Sequence, residues 1–142
     1  MPPDASSPRE VHVVAAVIER DGKILIGQRK AKDKHPLKWE FPGGKVEPGE
    51  ERRAALAREL REELAITATI DEQLDSYEFR YGGSPATVLW FYRVTQFTSD
   101  REDGEPTNLD FEQILWEDPW RLAGYDFLEG DIRFLTRYLP HG

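Results

Sequence analysis

Three glutamates, Glu59, Glu62 and Glu63, stand at i, i+3 and i+4 in a stretch rich in Ala, Leu, Arg and Glu. The stretch lacks Gly and Pro, which predicts a helix from Glu51 to about Ala65 with the three carboxylates on one face. Leu56, Leu60 and Leu64, four apart, form a separate apolar stripe suited to a core. Like charges at this spacing destabilise a helix, so something must offset them. One answer is a solvated face with ion pairs such as Arg58–Glu62, and judged on the helix alone it is the simpler one. The other is a hard divalent cation, since Mg²⁺ takes oxygen ligands and keeps waters and substrate phosphates in its shell.

The residues just ahead of the helix shift that balance. Gly43-Gly44-Lys45-Val46-Glu47-Pro48-Gly49-Glu50 reads as a glycine loop. Its glycines permit a sharp turn and close approach to another group, and Pro48-Gly49 marks a turn. Glu50 and Glu51 open the helix, where the positive end of its dipole favours them. Loop and helix together resemble the Nudix box, the signature of the Nudix hydrolases, with Gly44, Glu50, Arg58, Glu59, Leu60, Glu62, Glu63 and Ile66 in the specified places. Six polar or glycine positions, each matched by chance about one time in ten, give about one in a million per starting point. The one departure is Ala65, where the family has Gly. It bears on how the chain leaves the helix, and the carboxylates are untouched.

The resemblance implies a mixed sheet between helices, the Nudix α/β/α sandwich of class α/β. It implies a hydrolase of phosphoric anhydride bonds that uses Mg²⁺ or Mn²⁺. By carry-over, Glu62 and Glu63 are metal ligands and the Gly43 carbonyl adds a backbone oxygen. Glu59 is ligand or general base, and Gly44, Glu50 and Arg58 support the ligands structurally. Trp39-Glu40-Phe41-Pro42 and the downstream pattern are similar to the MutT branch of the family. There a further carboxylate stands six residues before a late Trp. Counting back from Trp116 gives Asp110, with Glu112 as the neighbouring alternative. In the same branch Arg29 resembles a phosphate contact and Phe41 a base-stacking residue. Asp131 resembles a base-reading position and also reads as an N-cap. An ionised Asp only accepts hydrogen bonds, which favours a base edge bearing donors, such as cytosine or guanine, including oxidised guanine.

The expected activity is release of pyrophosphate from a nucleoside triphosphate such as 8-oxo-dGTP or a (d)CTP-like substrate. Two alternatives share the fold. One is a hydrolase of ADP-ribose or a dinucleoside polyphosphate, and the other is a nucleotide-binding domain without catalysis.

Composition bounds the partners. The net charge of −8 speaks against a nucleic acid polymer, whose phosphates need Lys and Arg surfaces, but leaves open a nucleotide bound through cations. Without cysteine there is no disulfide and no thiolate chemistry, which suits a cytoplasmic setting. No apolar run reaches membrane-spanning length. The expected organisation is a disordered tail over 1–10 and a single domain over 11–142, as a monomer or homodimer.

In chain order, strands are expected over Val11–Glu19 and Ile24–Arg29, joined by the Asp21-Gly22 turn. A short strand carries Trp39 and Phe41. Beyond the helix come Ile66–Ile70, Leu74–Tyr81 and the most strand-like run of all, Ala86–Phe97. A mobile polar loop over Thr98–Asn108 precedes a strand over Gln113–Glu117. A small helix starting at Pro119 and a terminal helix over Asp131–Leu139, with Ile132, Leu135 and Leu139 on its apolar side, complete the chain.

Overall fold

The structure, a computed structural model, describes residues 10–138. The tail expected over 1–10 lies outside the described residues except for Glu10, and so does Leu139 of the terminal helix. The chain opens with a hairpin of β1 (Val11–Arg20) and β2 (Lys23–Gln28), whose turn places both Asp21 and Gly22 at positive φ. Two short strands follow, β3 (Trp39–Glu40) and β4 (Gly43–Lys45), and then helix α1 (Arg52–Leu64). Next come β5 (Ile66–Thr69), β6 (Gln73–Phe79), β7 (Thr87–Val94), β8 (Gln96–Ser99) and β9 (Gln113–Glu117). A 3₁₀ turn over Pro119–Gly124 leads to helix α2 (Glu129–Tyr138).

Strand β1 is the axis of a mixed seven-stranded sheet. It runs parallel to β7 from Val11 to Ile18 and antiparallel to β4 through Val13–Ala15. Its far end pairs with β2 only at Glu19 and Arg20, so β2 swings away to pair with β3 and β9. The expected burial of β1 on both faces holds, because each face of the sheet carries its own core. Ala15 and Val17 join Phe41, Phe91 and Phe134 on the α2 side. Val14, Ala16 and Ile18 join Leu56, Leu60 and Leu64 on the α1 side. This is the mixed sheet between helices that the resemblance implies.

Four expectations change. The run Ala86–Phe97 is two strands, since β8 leaves the main sheet after Thr95 and pairs with β5 instead. A continuous apolar run does not reveal where its partner changes. The segment expected to be a mobile loop begins inside β8 and is tied down further along. Thr107 and Leu109 donate backbone hydrogen bonds to the carbonyls of Leu64 and Glu63, the last residues of α1. Asp131 lies inside the first turn of α2 and does not cap it; its carboxylate accepts from Phe41 N–H. Ile132 is 45% exposed; the face that α2 buries carries Gly130, Asp131 and Phe134, with Leu135 packed beside it as expected.

Helix α1 ends as its sequence demands. The Glu51 side chain accepts from the Ala54 amide at the N-terminus. At the C-terminus Ala65 takes the left-handed conformation, φ 55° and ψ 40°, that a Gly adopts more cheaply.

Candidate active site

The β1–β4 pairing and α1 bring the carboxylates to the glycine loop. A Cβ on Gly43 would lie 1.9 Å from the Val14 carbonyl oxygen, so only Gly lets β4 come this close to β1. The Gly43 amide donates to Glu63 Oε1 at 3.1 Å. A Cβ on Gly44 would lie 2.3 Å from the Glu59 carboxyl carbon, so that carboxylate rests directly on the loop backbone. One Gly seats the loop on the sheet and the next leaves room for a functional side chain.

Arg58 holds the opposite side of the loop. Its Nε and Nη2 donate to the two oxygens of Glu50 at 2.8 and 3.0 Å, and Nη2 also reaches the Lys45 carbonyl. Nη1 donates to Glu59 at 3.3 Å and to Glu62 at 3.2 Å. These bonds hold the Glu50 carboxyl down at about 2. Glu50 and Arg58 thus tie loop to helix, as the resemblance implies. The ion-paired reading of the helix face is also partly present, because Glu62 is half exposed and leans on Arg58.

A cavity of about 540 Å³ opens beside the loop, within the usual range for small-molecule sites. Arg29, Glu40, Gly43, Glu63, Tyr81 and Asp110 all contribute to its wall. A more open hollow of about 630 Å³ beside the Asp21-Gly22 turn shares no residue with it.

Acidic groups crowd this cavity. Burial first, then Glu40, Glu59 and Asp110, pushes the Glu63 carboxyl up to about 9. Burial raises Glu59 as well, with Glu62 and Asp110 adding to it against Arg58. Glu40 is raised to about 7 by burial, opposed by Arg29 at 3.1 Å. Asp131, 5% exposed, is raised to about 8 by burial and by Glu40. Each group thus makes its neighbours harder to ionise, opposed by Arg29 and Arg58 and by the Gly43 and Phe41 amides that donate to Glu63 and Asp131. Among the described residues no three carboxylates close into a cage. The donor set is nonetheless all oxygen and short of positive charge, which fits a hard divalent cation.

The sequence-derived residues are therefore sorted by the structure. It brings Gly43, Gly44, Glu59, Glu63 and Asp110 together around the loop side of the cavity. Both distal carboxylates are exposed, but Asp110 lines the cavity, whereas Glu112 does not and uses its amide on the Gln28 carbonyl. Arg29 reaches the cavity just beyond β2 but spends its charge on Glu40 and its Nε on the Lys34 carbonyl. Phe41 is 3% exposed and packs against Phe127, Phe134 and Phe91 at ring distances of 5.4–6.2 Å. Little of its ring is free to stack on a base. Asp131 lies behind it, bonded to its amide at 3.2 Å.

Glu40 and Tyr81 belong to the site although the sequence did not single them out. Glu40 had a signal, a charged residue between two aromatics on a strand. Tyr81 had none: its hydroxyl accepts from the Gly130 amide at 3.0 Å, a contact across the fold.

Known proteins agree with this geometry. The NUDIX domain family model matches residues 8–138. The CTP pyrophosphohydrolase of Escherichia coli (strain K12) is 40% identical over 129 residues, covering 91% of each chain. The 8-oxo-dGTP diphosphatase of Haemophilus influenzae is 30% identical over 132 residues, again 91% of each. The solved E. coli ORF135 protein superposes with a TM-score of 0.79 at 39% identity, covering 92% of this chain and 89% of its own. With a box-bearing loop and helix, an acidic cavity and a family match along nearly its whole length, the chain belongs to the Nudix family and is a hydrolase of phosphoric anhydride bonds.

Proposed function

We propose that this chain is a Mg²⁺- or Mn²⁺-dependent nucleoside triphosphate pyrophosphohydrolase that clears 8-oxo-dGTP or a (d)CTP-like nucleotide from the cytoplasmic pool. The observation that carries this reading is the placement of Glu59 and Glu63 against Gly44 and Gly43, beside a cavity that Asp110 and Arg29 also reach. The 40% identity to a CTP pyrophosphohydrolase supports the substrate class.

Glu59, Glu62, Glu63, Asp110 and the Gly43 carbonyl would hold the cation. Bound there, it supplies neutralisation of the phosphate oxygens. Where it is not itself a ligand, Glu59, resting on the loop backbone, would hold a proton taken from water. Arg29 offers a planar guanidinium to a phosphate, in exchange for its pairing with Glu40. In this reading Asp131, held behind Phe41 by its amide, would be reached by the base only from the Phe41 side of the cavity. Raised to about 8, its carboxyl keeps a proton near neutrality and can donate as well as accept. That widens the base edges it could read beyond those an ionised Asp would favour. The unit of function is a single domain over 11–142, acting on a small nucleotide as a monomer or homodimer, without a nucleic acid polymer. No described helix is long and apolar enough to cross a membrane.

The test is pyrophosphate release from CTP, dCTP, dGTP, 8-oxo-dGTP, ADP-ribose and a diadenosine polyphosphate, with Mg²⁺ and again with EDTA. Pyrophosphate from a cytosine or guanine triphosphate that disappears in EDTA is the expected result. Turnover of ADP-ribose or the diadenosine compound alone would overturn the substrate assignment.

A further inference from the structure

Asp110 sits in a turn shaped by a near neighbour. Asn108 Oδ1 accepts from the Asp110 amide at 3.3 Å and from the Phe111 amide at 2.8 Å. Its Nδ2 donates to the Phe111 carbonyl at 2.9 Å. Asn side chains close turns in this way by imitating the backbone.

The turn is anchored at both ends. On one side the Thr107 and Leu109 amides donate to the Leu64 and Glu63 carbonyls at 2.8 and 2.9 Å. Those carbonyls belong to the last turn of α1, which has no helical partner for them. On the other side the Phe111 ring lies so close to Gly27 that a Cβ there would meet it at 2.6 Å. Between these anchors Asn108 fixes the backbone that carries the Asp110 carboxylate. The anchor at Leu109 is made to Glu63, the residue whose own carboxylate lines the same cavity.

We propose that Asn108 is a positioning residue for the cation site, clamping the 108–111 turn so that Asp110 is presented to the cavity alongside Glu63. The proposal rests on the reading of Asp110 as a cation ligand. Groups that orient ligands in this way change metal affinity by about 10–100-fold when removed.

The test is Mn²⁺ binding without nucleotide, followed by electron paramagnetic resonance of the free ion. The proteins compared are the wild type, Asn108→Ala, Asn108→Ser, Asp110→Asn and the double variant Asn108→Ala/Asp110→Asn. Asn108→Ala should weaken binding about 10-fold. Asn108→Ser should fall between it and the wild type, because a hydroxyl closes such turns more weakly. The double variant should bind no more weakly than Asp110→Asn, because both changes act through one carboxylate.

Wild-type affinity in Asn108→Ala, with Asp110→Asn weakened, overturns the inference and leaves the ligand reading intact. A double variant weaker than Asp110→Asn also overturns it, since Asn108 would then act elsewhere. Unchanged affinity in Asp110→Asn removes the ligand reading and the inference with it. Should Asn108→Ala not fold, Asn108→Ser against the wild type carries the comparison: weaker binding supports the proposal and equal binding overturns it.

Discussion

The Gly43 amide donates to the Glu63 carboxylate at 3.1 Å, joining a loop glycine to a helix carboxylate twenty residues away in the chain. Glutamine can accept the same bond through its amide oxygen but is a poor cation ligand. Glu63→Gln should therefore keep the fold while lowering kcat by about 10²–10³, the scale expected when several kcal/mol of charge stabilisation is lost. Circular dichroism and pyrophosphate release on the same preparation check both halves. Near-native turnover would sink the role given to Glu63.

The two loop glycines should respond differently to alanine. At Gly43 the added Cβ meets the Val14 backbone at 1.9 Å, which cannot give way without moving β1. We expect a loss of about 3 kcal/mol, with Tm down by about 10 °C. At Gly44 the Cβ meets the Glu59 side chain, which can rotate aside. That variant should lose only about 1 kcal/mol yet lose most of its Mn²⁺ affinity. Thermal melts set against Mn²⁺ titrations separate the two.

Asp131 makes stability depend on pH. Burial pushes its folded carboxyl up to about 8, far above the ordinary aspartate range, so the unfolded chain gives up this proton first. The contribution is fully present below the unfolded value and is lost as pH rises toward 8. Glu40, raised to about 7 and facing Asp131 and Arg29, adds a slope of the same sign. The wild type should lose stability between about pH 5 and pH 8, and Asp131→Asn should lose distinctly less. Urea denaturation across that range is the measurement, and parallel slopes in the two proteins would refute the assignment.

Ala65 predicts a gain. It holds a left-handed conformation that costs a residue with a Cβ about 1 kcal/mol and costs Gly little. Ala65→Gly should raise stability by about 1 kcal/mol, or Tm by about 3–4 °C. A scanning calorimetry trace shows it directly, and a lowered Tm would contradict the cap geometry.

Much of this was legible in the sequence because the box is local. Spacing alone placed Glu59 and Glu63 on one helix and Leu56, Leu60 and Leu64 beneath it. Counting from Trp116 found Asp110, which the structure puts on the cavity wall. What escaped depended on partners far along the chain. The break between β7 and β8 follows from pairing with β5, which no run of apolar residues encodes. The burial of Phe41 among three other phenyl rings needs the whole α2 side to be assembled. The same holds for Asp131, whose short side chain at a helix start suits a cap equally well until Phe41 arrives to use it.

The two apolar cores have no side chain in common. The helix with the box carboxylates is seated in one, and the helix with Asp131 in the other. A substitution among the apolar neighbours of α2 therefore leaves the apolar seat of α1 with its own set of contacts. The side chains beneath α2 can be repacked while those beneath the carboxylate-bearing helix stay as they are.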